Sequence, residues 1–341
     1  MAFTLNSNIT IGQYKKVKPH DVKINLSLSD YVNKAMIKLP ASSYLVCDNK
    51  IVSNTLQTSQ QFNEGDKVNI QLGYNGKLNE EFEGFVARIN VTTPVEIECE
   101  GYSYQLRKTQ PKSKTFKNAE VKDILRYIIT GTDIKLSSEI PGCKIQKLVI
   151  DGHTGQEVLE LIKKALGDLV YINFHKNELY AGLQYLNPKL KVVYRLGWNV
   201  IKDGNLKQRK ASNDKITIVY RGKKKDGTHV EAAIKSKGQT KVITTEGSAG
   251  NEGETKVIVT HAVTDEATLK QMAAAKLKKL SYDGYEGKIT AFLQPFCQHG
   301  WKAKLIDKTY PERNGEHIVD SIEVTYSMSG ARRTIQIGER L

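Results

Sequence analysis

The chain has 341 residues, enough for two or three domains at roughly 100–200 residues each, which excludes a single small binding module. Hydrophobic residues make up 39%, and 51 Lys plus Arg outnumber 37 Asp plus Glu for a formal net charge of +14. That balance predicts packed domains with a wetted surface biased towards anionic partners. No stretch approaches the ~18 apolar residues of a membrane span, and Met1 to Thr10 lacks the basic and apolar regions of a secretory leader, so membrane insertion and signal-peptide secretion are not expected. Cys47, Cys99, Cys143 and Cys297 lie far apart, which predicts reduced thiols instead of a disulfide framework or a zinc site.

Residues 1–110 read as sheet. Gly65 to Tyr74 sets Val68, Ile70, Leu72 and Tyr74 on one face and Lys67, Asn69 and Gln71 on the other, and Asn75-Gly76 supplies the positive-φ pair of a tight hairpin. The run Phe85 to Val91 alternates again, with Phe85, Ala87, Ile89 and Val91 expected inside. Val95, Ile97 and Cys99 point one way, with Glu96, Glu98 and Glu100 on the other face. The acidic cluster Glu80, Glu81 and Glu83 beside the hairpin is expected to be solvated.

A basic bridge, Arg107 to Lys117, suits a linker into a mixed α/β unit over 111–189. Asn118 is expected to cap a helix bearing Val121, Ile124, Leu125 and Ile128 and closed by Gly131. Thr154 with Glu157 forms a capping box ahead of Val158, Leu161 and Ile162, with Gly167 as the stop. Strands are expected at Ile145 to Ile150, Leu169 to Phe174 and Leu179 to Leu183. From residue 190 to 341 the chain returns to sheet, with a Lys-rich turn at Lys223 to Gly227 and a Gly- and Glu-rich loop over Thr244 to Thr255. One helix interrupts it, starting at Thr264 or Asp265, striped by Leu269, Met272, Ala273, Leu277 and Leu280 and stopped by Gly284.

Gly65 to Val91 and Gly300 to Val324 share one hairpin plan, with Gly84 and Gly315 at the turn into the second strand. Duplication and the general likeness of amphipathic hairpins both account for it. In the second copy Ile318, Ile322, Val324 and Tyr326 are expected to face inward.

Signatures of catalysis are absent. The seven histidines never fall at ligand spacing on one helix face, and no H-E-x-x-H or G-x-S-x-G occurs. Gly222 to Gly227 lacks the Lys of a phosphate loop, and Ser212 to Lys215 matches S-x-x-K without its partner motif. No enzyme activity, cofactor or metal is therefore expected. Residues 200–241 hold 12 Lys or Arg against 4 Asp or Glu. This basic stretch, with Lys207, Arg209, Lys210, Arg221, Lys223, Lys224 and Lys225, is a candidate partner-docking surface. Its lysines sit mostly in turns without a recognition helix, so specific DNA recognition is not expected, while a sheet-rich polyanion or nucleic-acid binder is the alternative function.

In order, GDKVNIQL, FEGFVARINV and IECEGYSYQLRK, then NAEVKDILRYI and TGQEVLELIKKAL, then GWNVI and the terminal IVDSIEVTYSMSGARRTIQIGERL resemble the baseplate hub proteins of contractile phage tails, of the late control protein D type. They are also similar to the hub part of type VI secretion spike proteins. The resemblance implies a mainly β fold with α+β, in which two tube-type β-barrel domains (1–110 and 190–341) flank a small mixed α/β domain. It implies a homotrimer in a virion tail baseplate assembled in the host cytoplasm, acting as symmetry adaptor between the hexameric tail tube and a trimeric spike. Because the chain stops just after the hub part, a separate spike protein is expected, with tape measure and other baseplate proteins as further partners.

Overall fold

The computed structural model describes residues 4–47, 50–166, 170–182, 190–209, 217–223, 229–235, 240–243, 255–260, 263, 266–280 and 284–341. The fold is mainly β. The first part carries β1 (Leu5–Ile11), β2 (Asp21–Ser27), β3 (Lys34–Leu39), β4 (Ser42–Cys47), β5 (Lys50–Gln57), β6 (Lys67–Tyr74), β7 (Lys77–Asn90) and β8 (Val95–Glu100). Period two holds in β6 and β8. Val68, Ile70, Leu72 and Tyr74 are buried, as are Val95, Ile97 and Cys99, each burial of this kind contributing about 1.5–3 kcal/mol for a large aliphatic side chain. Asn75 and Gly76 take φ of 52° and 78° in the β6–β7 turn, the geometry that matches the twist of the flanking strands.

The middle part carries α1 (Ser103–Lys108), β9 (Lys114–Glu120), α2 (Val121–Ile128), β10 (Lys135–Leu136), β11 (Lys144–Ile150), α3 (Gly155–Leu166), β12 (Tyr171–His175) and β13 (Glu178–Gly182). The capping box forms as expected. Glu157 accepts from the Thr154 backbone N–H at 2.7 Å, and Thr154 Oγ1 accepts from the Glu157 N–H at 3.3 Å. Two expectations are corrected here. Asn118 does not cap α2. It lies inside β9 at φ 48°, where Asn tolerates the left-handed region, and Glu120 occupies the cap position without a capping bond from its side chain. The basic bridge is also structured: Arg107 and Lys108 close α1, and Lys114 lies over the rings of Phe116 and Tyr127 at 4.7 and 4.5 Å. Gly167 lies outside the described residues.

The last part carries β14 (Lys191–Arg195), β15 (Val200–Lys202), β16 (Lys207–Arg209), β17 (Thr217–Lys223), β18 (His229–Lys235), β19 (Thr240–Ile243), β20 (Thr255–Thr260), α4 (Glu266–Leu280), β21 (Gly284–Ala291), β22 (Lys302–Ile306), β23 (Gly315–Ser327) and β24 (Gly330–Arg340). β17 to β20 form a sheet of their own, in the order β19-β18-β17-β20. Val230, Val263, Leu269, Met272 and Ala273 bury themselves in the core of the middle part. The expected helix starts, the Gly-rich loop and the Lys-rich turn fall outside the described residues, while Gly284 opens β21 instead of stopping α4.

Apart from the separate β4–β5 hairpin, the remaining strands of both ends join one sheet, in the order β1-β6-β7-β8-β3-β2-β23-β24-β21-β15, with β22 on β23, β14 on β22 and β16 on β21. The two ends repeat one plan. The order β1-β6-β7-β8-β3-β2 is matched by β14-β22-β23-β24-β21 followed by β15 and β16. The one difference in pairing sense is at the start, where β1 is antiparallel to β6 and β14 parallel to β22. Register aligns the copies residue by residue. Lys67 faces Phe85 as Lys302 faces Ile318, and Ile89 faces Ile97 as Ile322 faces Ile335.

That alignment corrects the inward-facing set. β7 shifts register between Val86 and Arg88, and β23 between Val319 and Ser321, the equivalent place. An extra residue there turns the chain over. Val86 and Val319 therefore enter the shared core of both ends, Phe85 turns into the core of the middle part, and Ile318 lies in neither. Ile322 and Val324 are in the shared core, with Ile89 and Tyr326 packed against it. Ala87 packs on the middle part's core, and Val91 is exposed. Gly84 and Gly315 are not equivalent either: Gly84 lies within β7 opposite Val68, whereas Gly315 begins β23 opposite Leu305.

Candidate functional site

The described residues of the basic stretch fall on strands of two sheets. Lys207 and Arg209 lie on β16, paired with β21, and Arg209 Nη1 meets Glu286 Oε2 at 3.1 Å. Both residues line a groove of about 620 Å³ with Lys288, Asp320, Tyr171 and Glu339, so its charge is mixed. Arg221 and Lys223 belong to β17, in the separate sheet. Lys210, Lys224 and Lys225 lie outside the described residues.

The acidic cluster supplies what periodicity missed. Its expected solvation is wrong for Glu81, which is buried, while Glu80 and Glu83 are half-buried. β7 bulges between Phe82 and Glu80, since Ile70 faces Phe82 while Gln71 faces Glu80. The extra residue, Glu81, is thereby turned inward, where its Oε1 meets Arg333 Nη2 at 2.6 Å with side-chain exposures of 1% and 0%. Arg333, on β24, also donates to the carbonyls of Cys297 at 2.8 Å and Leu293 at 3.4 Å. Burial pushes the Glu81 carboxyl up and the Arg333 guanidinium opposes that shift. Glu80 meets Lys176 at 2.7 Å; burial works against its ionisation, but the bonds from Lys176 and Asn69 hold it below the usual range. Glu83 accepts from Tyr102 O–H at 2.6 Å.

This run therefore ties β7 to the last part through Glu81 and to the middle part through Glu80, while Glu83 meets Tyr102 within residues 1–110. Nearby, Tyr74 O–H donates to the Ala331 carbonyl at 3.1 Å, and Tyr194 O–H lies 3.0 Å from Cys297 Sγ. A small cavity of about 30 Å³ beside it is lined by His175, Lys176, Gln298 and His299. Burial lowers His299 to about 4, with His175 adding to the shift.

Chemically the junction is a clamp. Cys99, Cys143 and Cys297 are buried, and burial raises the Cys99 and Cys297 thiols, leaving them poor nucleophiles. Among the described residues no group of three or more His, Cys, Asp or Glu is placed to hold a metal ion, and no helix is long and apolar enough to cross a membrane.

What the surface offers instead is contact area. The β4–β5 hairpin pairs with no other described strand and exposes Tyr44, Val46 and Ile51, and Trp198 and Met328 stand out elsewhere. The outer face of β2, β3 and β8 is a charge ladder, with Lys38–Glu96 at 2.8 Å and Lys23–Glu323 at 2.9 Å.

A family model described as the Alg8 N-terminal domain matches residues 16–305. No curated protein matches the chain. Among solved structures, the chain is similar to the 43 kDa tail protein of prophage MuSo2 from Shewanella oneidensis, at 14% identity over 98% of this chain and 97% of that one, with a TM-score of 0.59. It is similar to a tail protein from Neisseria meningitidis at 11% identity, 98% and 96% coverage and a TM-score of 0.64. A third is an Escherichia coli component of the type VI secretion system, itself described as structurally similar to bacteriophage T4 tail proteins, at 10% identity, 97% and 76% coverage and a TM-score of 0.57. At these identities the likeness shows a shared fold.

Proposed function

The chain belongs to the Alg8 N-terminal domain family, and for this member, with the fold of phage tail proteins, we propose the role of structural baseplate hub in a contractile tail. Three copies form a ring that joins a six-fold tail tube to a three-fold spike, in the manner of the late control protein D type. The observation that carries this reading is the repeated strand order of the two ends. A protein between six-fold and three-fold partners must offer six equivalent surfaces from three chains, and one duplication within the chain supplies them.

The first tube-type module is residues 1–110 and the mixed module 111–189. Within 190–341 the second module comprises 190–209 with 284–341, and the β17–β20 sheet with α4 is an insertion that leans on the middle part. The surroundings proposed are a virion or prophage-derived tail baseplate, with tube, spike, tape measure and neighbouring baseplate proteins as partners. The role is binding, without catalysis. Light scattering of purified protein, alone and with its spike, tests the reading. Three times the chain mass is expected, and a monomer at high concentration that forms no ring with the spike present contradicts it.

A further inference from the structure

The two ends of the chain meet through unlike edges. β2, last in the first order, adds to residues 321–327 of β23, a middle strand of the second. On that edge β22 pairs along 315–318 and β2 takes the rest. In the first copy the matching edge of β7 is taken by β6 as far as Val86 and, among the described residues, by no strand beyond it. The matching donor is β15 with β16. These pair β21 as β2 pairs β3, and among the described residues no strand lies on their other side.

Exposure follows the same difference. Val324 is 0% exposed beside β2, whereas Val91, its equivalent on the uncovered edge, is 80% exposed. Ile322 is buried, and its equivalent Ile89 is only half-buried. An uncovered edge with apolar residues is a template for another strand, and here the chain itself displays which strand fits.

We propose that a second copy of this chain covers the edge: β16 of one protomer adds to residues 88–90 of the next, repeating between chains the β2–β23 contact made within one. The inference rests on the hub reading for the number of copies and goes beyond it in naming the seam. A donor edge on one module and an acceptor edge on the other make a head-to-tail contact, which closes into a ring when its rotation divides a full turn.

The internal contact also sets the register. Asn25 faces Glu323 and Leu26 faces Ile322, so Lys207 faces Asn90 and Gln208 faces Ile89 across the seam. Lys207 is exposed, and Asn90, which it faces, lies opposite Glu96 of β8.

The test mixes two single variants, Asn90→Cys and Lys207→Cys, with a short thiol-to-thiol cross-linker, so that any product linking the two introduced thiols must join two chains. Directly opposed Cβ atoms lie about 4.5–5.5 Å apart, within the reach of such a reagent. A linked dimer in the mixture, absent from wild type and from either variant alone, is the expected result. In parallel, Val91→Arg is expected to weaken the trimer at least tenfold with unchanged circular dichroism. A trimer that gives no cross-link and tolerates Val91→Arg overturns the seam and leaves the hub reading standing. A chain that stays monomeric overturns both.

Discussion

At the residue scale the clearest consequence concerns Glu81 and Arg333. Both charges are out of water, so removing one leaves the other uncompensated. Glu81→Gln or Arg333→Met alone is expected to cost about 3–5 kcal/mol, whereas Glu81→Leu with Arg333→Met is expected to cost far less, because an apolar pair of similar volume needs no compensation. Urea titrations of the three variants check this, and equal losses in single and double variants would remove the clamp from the account. The pair was hidden from sequence reasoning. Three glutamates in a row of four positions look solvated, and only the bulge at Glu81 turns one of them into the core.

His299 adds a pH dependence of definite sign. Its folded value, lowered by burial to about 4, lies below the ordinary histidine value of about 6.5. The unfolded chain therefore takes up a proton that the folded chain refuses, and stability is full above about pH 6.5 and falls as the pH drops towards 4. Between pH 7.5 and 5 the loss from this group is about 2 kcal/mol. His175 and His317, also lowered by burial, add in the same direction. His299→Gln should flatten the slope of the urea midpoint against pH. An unchanged slope would mean that His299 takes up its proton in the folded state as readily as in the unfolded one.

At the element scale, strands β6 and β8 and helix α3 were legible because alternation, the Asn75-Gly76 turn and the Thr154–Glu157 box are local signals. β7 and β23 were legible as strands but not in facing. A single extra residue at Val86–Arg88 and again at Val319–Ser321 reverses the inside and outside sets, and period two carries no mark of where a bulge falls. Gly84 gives the element-scale test. A Cβ there would come 2.2 Å from the Glu100 carbonyl oxygen of β8, whereas one at Gly204 would meet nothing within 4 Å. Gly84→Ala must push β7 and β8 apart and is expected to cost about 1–3 kcal/mol, against less than about 0.5 for Gly204→Ala. Equal urea midpoints for the two would show that β7 does not sit this close to β8.

At the scale of the whole molecule, the sequence carried the repeat as a faint hairpin likeness and the structure extends it to strand order. What could not be read from the chain was the β2–β23 seam and the placement of the basic residues. Both depend on pairings between strands some 300 positions apart, and on an insertion whose sheet separates Arg221 and Lys223 from Lys207 and Arg209. The basic composition of residues 200–241 was thus legible, while the division of its described residues between two sheets was not. Most of the proposed function turns on whether the repeat is used as six equivalent units. Electron microscopy of the assembled ring in projection down its axis measures that directly: six lobes of similar density at one radius are expected, and a ring with three lobes, or with six at two distinct radii, contradicts the account.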